Sequence, residues 1–190
     1  MSKEVTVRGQ TSPPRAKEAL PVITFPDKMN FHLNDEDVEL IFLEKGHTDG
    51  DIMIHFKKAN VYHMGDAFIR TGYPFIDTSN GGSFLSYIAS LERMLAVLDH
   101  NLEVIPGHGN LATKADVKEL YDRLVDIRDQ VTVALKKGTK LEDMSALPIA
   151  SKYDVFYPNG FVKGKDFVLI AAENIKASMP ATNSKGKSAK

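Results

Sequence analysis

From Val22 to Asp66 the chain alternates short apolar runs with polar breaks. "VITF", "MNFHLN" and "VELIFLEK" are separated by "PDK" and "DED", and "DIMIHFKKA" and "NVYHMGD" follow, joined through Lys58-Ala59-Asn60. Runs of this length with a period near two, bounded by Pro, Asn and Asp, predict the strands of a meander with turns at Pro26-Asp27 and Asn34-Asp35. The period then lengthens. "TGYPFIDTSNGGS" reads as a loop, and Ser83 caps a helix, "FLSYIASLERMLAVLDH", whose Phe84, Ile88, Leu91, Leu95 and Leu98 recur at helical spacing. "LEVIPGHG" predicts a short buried strand ending in a Gly/Pro loop. Thr113 with Asp116 forms a capping-box pattern that opens a second helix, to about Lys137, and Gly138 ends it. "VKGKDFVLIAAENIKAS" predicts a last helix. Strands followed by helix, strand, helix and helix point to a layered α/β fold with its site on strand-end loops rich in Gly, His and Asp.

The ends differ from this body. Residues 1–20 are polar and contain "TSPPR", where Pro13 and Pro14 disfavour helix and ladder alike, so they read as a flexible N-terminal arm. Residues 21–178 read as one domain, and "MPATNSKGKSAK", 179–190, as a disordered polar tail.

Composition narrows the chemistry. With 24 basic and 25 acidic residues the net charge is −1, which gives no electrostatic reason to expect nucleic acid or an anionic membrane as partner. Neither a signal peptide nor a membrane-spanning run is visible, so the compartment is unknown and cytoplasmic by default. There is no cysteine. Any zinc site must use His, Asp or Glu.

The chain has six histidines. His32 alternates with Phe31 and Leu33, and His55 shares a strand side with Met53 and Lys57, so both read as strand-surface residues. His100 reads as a cation in the last turn of the first long helix, where it complements the dipole. His47 follows Gly46 at a strand end, His108 stands between two glycines, and Asp66 follows "HMG" at another strand end. Glycine flanks let a backbone approach a ligand closely. Two imidazoles and a carboxylate are good zinc ligands if the three loops converge.

Taken together, "GHTDGD", "VYHMGD" and "PGHG", in this order and spacing, resemble the metallo-β-lactamase superfamily, and "YPFIDTSNGGS" and "IASLERMLAVLD" look like one subgroup of its hydrolases. The resemblance runs from Pro21 to Lys137 and on toward Ser178. It implies an αββα sandwich, with two zinc ions activating a hydroxide in a cleft at one edge. It also implies that His47 binds the first metal, that Asp66 bridges both and that His108 binds the second. His63 and Asp49 would stand behind these ligands, and Tyr73, with Pro74 and Phe75, would line a pocket mouth. The superfamily's His-x-His-x-Asp-His segment has no counterpart here, and no His-x-His occurs anywhere in the chain. The expected fold is therefore the second half of the sandwich, a mostly antiparallel sheet with outer helices. Zinc binding by this chain alone is expected to be weak or absent, because a catalytic zinc usually takes three protein ligands.

Three functional readings follow. The chain is a truncated hydrolase-like protein, impaired or inactive as a dinuclear zinc enzyme on its own. Alternatively, it is a fragment of a full-length zinc-dependent hydrolase whose N-terminal half completes the site. Or it is a non-catalytic binding protein derived from this fold. An RNA-processing nuclease is disfavoured by the charge balance. A half-sandwich exposes the inner face of its sheet, so the expected partner is a second copy packed sheet to sheet, or the missing half.

Overall fold

Alternation along the chain becomes a five-stranded sheet in the computed structural model, which describes residues 4–7 and 10–180. Two short strands come first, β1 (Val5–Val7) and β2 (Gln10–Ser12), paired as an antiparallel hairpin within the segment read as an arm. The main sheet is built from β3 (Lys28–Leu33), β4 (Glu36–Phe42), β5 (Ile52–Phe56), β6 (Val61–Gly65) and β7 (Glu103–Pro106). Its spatial order follows the sequence, with neighbours antiparallel except that β7 lies parallel to β6. A parallel neighbour needs a crossover, and α1 (Phe84–Val97) supplies it. The β3–β4 turn is Asn34-Asp35, both left-handed (φ 52° and 61°), as a two-residue primed hairpin requires.

The helices α1, α2 (Lys114–Lys136) and α5 (Gly164–Ser178) cover one face of the sheet. Ser83 caps α1 through the Ser86 amide, and Thr113 with Asp116 closes a reciprocal capping box on α2. From the sheet, Ile41, Met53, Tyr62, Met64 and Val104 enter a single core with Phe84, Tyr87 and Leu91 of α1, Leu124 of α2 and Phe167 of α5. The fold is thus α/β, a mostly antiparallel sheet with outer helices.

The opposite face is different. Two of its cross-strand rows are largely apolar: Phe31 beside Val38 beside Phe56 beside Val61, leading to Glu103, and Met29 beside Leu40 beside Ile54, leading to His63. None of these side chains joins the core, and Phe31 is 40% exposed.

Several expectations need correcting. "VITF" forms no strand, and Val22 (99%) and Ile23 (63%) are exposed. Four residues, three of them apolar, cannot hold a strand without a neighbour to complete their ladder, and β3 begins only at Lys28. The helix expected to reach His100 stops at Val97, with Leu98 extended, so His100 lies beyond it and complements no dipole. The stretch between α2 and α5 holds two single-turn helices, α3 (Leu141–Met144) and α4 (Ser151–Asp154). The polar tail expected at 179–190 lies, from 181 onward, outside the described residues.

His55 is not a simple surface residue. Its ring stacks on Tyr62 (centroids 3.9 Å apart, planes 7° apart), and its Nε2 is buried with no hydrogen-bond partner. Burial pushes its pKa down, with Glu39 opposing. The unfolded chain therefore takes up this proton first, so the stability tied to neutral His55 is complete above the ordinary value of 6.5 and is lost as pH falls below it. His55→Phe is expected to keep the stack and remove this acid-side loss. Thermal unfolding of both proteins from pH 7.5 to 5 checks it: parallel curves would show that His55 does not drive the loss.

Candidate metal centre

Three strand-end loops meet at one edge of the sheet. The first, after β4, carries His47. Its geometry is set by Asp51, only 9% exposed, whose carboxylate accepts from the His47 amide (2.6 Å), the Thr48 amide (3.0 Å) and the Thr48 hydroxyl (2.7 Å). The second, after β6, carries Asp66, whose carbonyl accepts from the hydroxyl of the fully buried Tyr87 (3.1 Å). The third, after β7, carries His108. It is latched to the second by the Gly107 amide donating to the Gly65 carbonyl (2.8 Å) and the Arg70 amide donating to the His108 carbonyl (2.9 Å). Arg70 tightens the latch by pairing with Asp116 at the start of α2 (2.7 Å).

The "DTSNGG" loop supports the first of these. The Asp77 amide donates to the His47 carbonyl (2.9 Å), and the Asp77 carboxylate accepts from the Ser79 and Asn80 amides, closing a 3-10 turn at Thr78–Asn80. These hydrogen bonds hold the Asp77 pKa down against the effect of its burial. A Cβ on Gly82 would fall 2.2 Å from the His47 carbonyl oxygen, so only glycine permits this approach.

At the centre, His47 Nδ1 lies 2.6 Å from the Phe75 carbonyl. A carbonyl only accepts, so Nδ1 carries the hydrogen and the Nε2 lone pair of the neutral ring is left for a ligand. That Nε2 faces Asp66 Oδ2 at 3.6 Å, and His108 Nε2 faces the other oxygen, Oδ1, at 3.3 Å. Two zinc ligands at about 2.1 Å from one tetrahedral ion stand about 3.4 Å apart. Both His–Asp separations match such an edge. Each imidazole addresses a different oxygen of one carboxylate. Among the described residues no group of three His, Asp or Glu side chains closes around a single point. The donors thus fit zinc in pairs, and each pair falls short of the three protein ligands usual for a catalytic ion. Long-range proton–nitrogen spectra above pH 7.5 should find His47 as the Nδ1–H tautomer. An Nε2–H tautomer would break the orientation argument.

The other residues singled out in the sequence stand further off. His63 Nδ1 accepts from the Gly65 amide (3.3 Å) across the irregularity where β6 slips register against β7, so it shapes the approach to Asp66. Asp49 is exposed and packs over Gly81, its amide donating to the Asn80 carbonyl (2.9 Å). Tyr73 lines the cleft with its ring, while its buried hydroxyl sits 2.9 Å from both Asp154 Oδ1 and the Ala150 carbonyl. Burial and the Asp154 carboxylate push its pKa far up, so it stays protonated. Asp51 and Tyr87, which hold the site's backbone, are not among the residues that the sequence singles out. The signal for Asp51 is the spacing in "HTDGD", a carboxylate placed to fold back on the amides ahead of it.

A cleft of about 310 Å³ opens beside the three side chains, lined further by Ile69, Thr71, Gly72, Tyr73, Phe75 and Phe161. Among the described residues no helix is long and apolar enough to cross a membrane.

No protein-family model matches the chain, and no curated protein matches it. Among solved structures, a metallo-beta-lactamase from Pontibacter korlensis is similar over 56% of this chain and 49% of that one, with 17% identity and a TM-score of 0.49. This chain spans about half the length of that protein.

Proposed function

We propose that this chain carries part of a two-metal hydrolytic centre of the metallo-β-lactamase type, with His47, Asp66 and His108 as its donors. The observation that carries the reading is the paired geometry: one carboxylate with an imidazole facing each of its oxygens, at 3.6 and 3.3 Å. In this reading His47 offers the Nε2 lone pair fixed by Phe75, Asp66 bridges, and His108 offers a second imidazole from the exposed rim. What zinc supplies when bound is a water acidic enough to act as hydroxide near neutral pH. With one imidazole and a shared carboxylate per ion, the chain alone is expected to bind zinc weakly and to hydrolyse poorly. Added donors, from a further polypeptide layer, would complete the coordination. Elemental analysis after dialysis against zinc tests the donor set: His108→Ala should retain at most about half the metal of the wild type. Two tightly held ions in both proteins would refute the proposal.

The open sheet face favours a second, compatible reading, in which the protein pairs through its apolar rows with a second copy or with the complementary half of a sandwich. Apolar faces of this kind mark association surfaces. Light scattering at micromolar concentration should give a particle near twice 21.0 kDa, and Ile54→Lys should return it to one chain. A wild-type monomer would count against pairing with a second copy.

A further inference from the structure

His47 and His108 face the same carboxylate but are held in different ways. The His47 side chain is 22% exposed, and its Nδ1–H is fixed on the Phe75 carbonyl. The His108 side chain is 64% exposed, and among the described residues Asp66, at 3.3 Å, is the only polar partner of its ring. A ring so placed goes where its backbone carries it. The direction of His108 is therefore decided by the loop 107–111.

That loop hangs on Arg70. The Arg70 amide donates to the His108 carbonyl (2.9 Å). One guanidinium nitrogen, Nη1, donates to the Leu111 carbonyl (2.5 Å) and reaches the Asn110 carbonyl at 3.4 Å. The other, Nη2, pairs with Asp116 Oδ1 (2.7 Å). Asp116 is held in turn, because its Oδ2 accepts from the Thr113 amide and hydroxyl (both 2.8 Å) in the capping box that opens α2. At the far end an isolated bridge joins Ala112 to Val104 of β7, so the loop leaves the sheet and returns to it. Between these anchors Gly109 lies on the Arg70 stem. It has φ +107°, and a Cβ there would fall 2.9 Å from Arg70 Cβ. Three carbonyls of the loop thus turn to one residue, and the capped end of a helix holds that residue in place.

We infer that Arg70 positions His108: its planar fork gathers the loop carbonyls on one side, takes its bearing from Asp116 on the other, and so sets the imidazole against Asp66. The functional meaning rests on the hydrolytic reading, in which His108 is a donor; the clamp itself rests on the hydrogen bonds. An ammonium cannot replace the fork, because a point charge on a flexible stem does not hold a carboxylate and two carbonyls in fixed directions. His47 lies outside this clamp. Losing Arg70 therefore disturbs one of the two His–Asp pairs and leaves the other.

The test compares the wild type, Arg70→Met and Arg70→Lys as whole, metal-free chains. Methionine keeps an unbranched stem over Gly109 and removes the guanidinium donors, while lysine keeps the charge. Amide spectra of β4 and β5 check the fold in each, and Arg70→Lys carries the test if Arg70→Met does not fold. Imidazole proton–nitrogen spectra are expected to show His108 shifted in both variants and His47 unchanged. Amide exchange at residue 70 and at Ala112 should speed up at least about tenfold in Arg70→Met, since the loop carbonyls lose a charged donor. Wild-type His108 signals and exchange rates in the variants overturn the assignment. An equal shift of His47 and His108 overturns it too, since Arg70 would then be a general staple of the fold. Zinc uptake on the same samples separates the two proposals. A displaced His108 with no zinc bound by any of the three proteins sinks the metal centre alone. Undisturbed His108 signals beside zinc uptake by the wild type sink the clamp alone.

Discussion

Gly107→Ala is expected to cost about 3 kcal/mol of stability, at the upper end for overpacking, and to displace Asp66. The added Cβ would fall 2.0 Å from Asp66 Oδ1, 2.6 Å from the Gly65 carbonyl carbon and 2.8 Å from the Asp66 amide nitrogen. Two of these three atoms are backbone, so no rotamer change relieves the crowding. The same amide that the glycine offers to the Gly65 carbonyl is the latch between the Asp66 and His108 loops. Pushing them apart therefore damages both halves of the donor set at once. Gly138→Ala is the matched control. It sits at φ +89° after α2, and a Cβ there would meet nothing within 4 Å, so its cost is conformational, about 1–2 kcal/mol, and leaves zinc uptake intact. Denaturant unfolding of the two variants beside the wild type checks the ranking. Equal losses would show that crowding at Gly107 is absorbed by the loop.

Asp51→Ala carries the second large effect. It strips the acceptor from two amides and a hydroxyl in the loop that aims His47, and hydrogen bonds to a charged group contribute about 1.5–3 kcal/mol each. Allowing for water that enters the vacated space, the expected loss is about 3 kcal/mol. Asp51→Asn should lose less, since one oxygen can still serve Thr48, while its amide group cannot accept from the His47 N–H. The variants should also release His47, seen as a change in its imidazole nitrogen shifts. Unfolding curves that superimpose on the wild type would show that the loop is held instead by the Asp77 amide on the His47 carbonyl and the Ser83 amide on the Gly46 carbonyl.

What the sequence revealed was what is local. The period-two runs of β4, β5 and β6, the Asn34-Asp35 turn and the caps at Ser83 and Thr113 are each decided by residues within a few positions. Where tertiary context decides, the reading failed. "VITF" has strand composition but no partner strand, and Val22 is left in solvent. His55 alternates like a surface residue, yet Tyr62 of the neighbouring strand stacks over it, a contact fixed by register that periodicity alone does not reveal. At the site, the residues that would bear ligands were legible because glycines and strand ends flank them. The residues that position them were less so. Tyr87 is 21 positions from the Asp66 carbonyl it binds, and Phe75 is 28 from His47. Such pairs meet only when the loops fold together.

The most direct test of the central claim is equilibrium dialysis of the wild type and Asp66→Ala against zinc, with bound metal counted by elemental analysis. Asp66 is the one side chain shared by both His–Asp pairs. The account predicts weak zinc uptake by the wild type and none above background by Asp66→Ala, because a single imidazole on each side cannot hold the ion. Zinc bound equally by both proteins, or by neither, would contradict it.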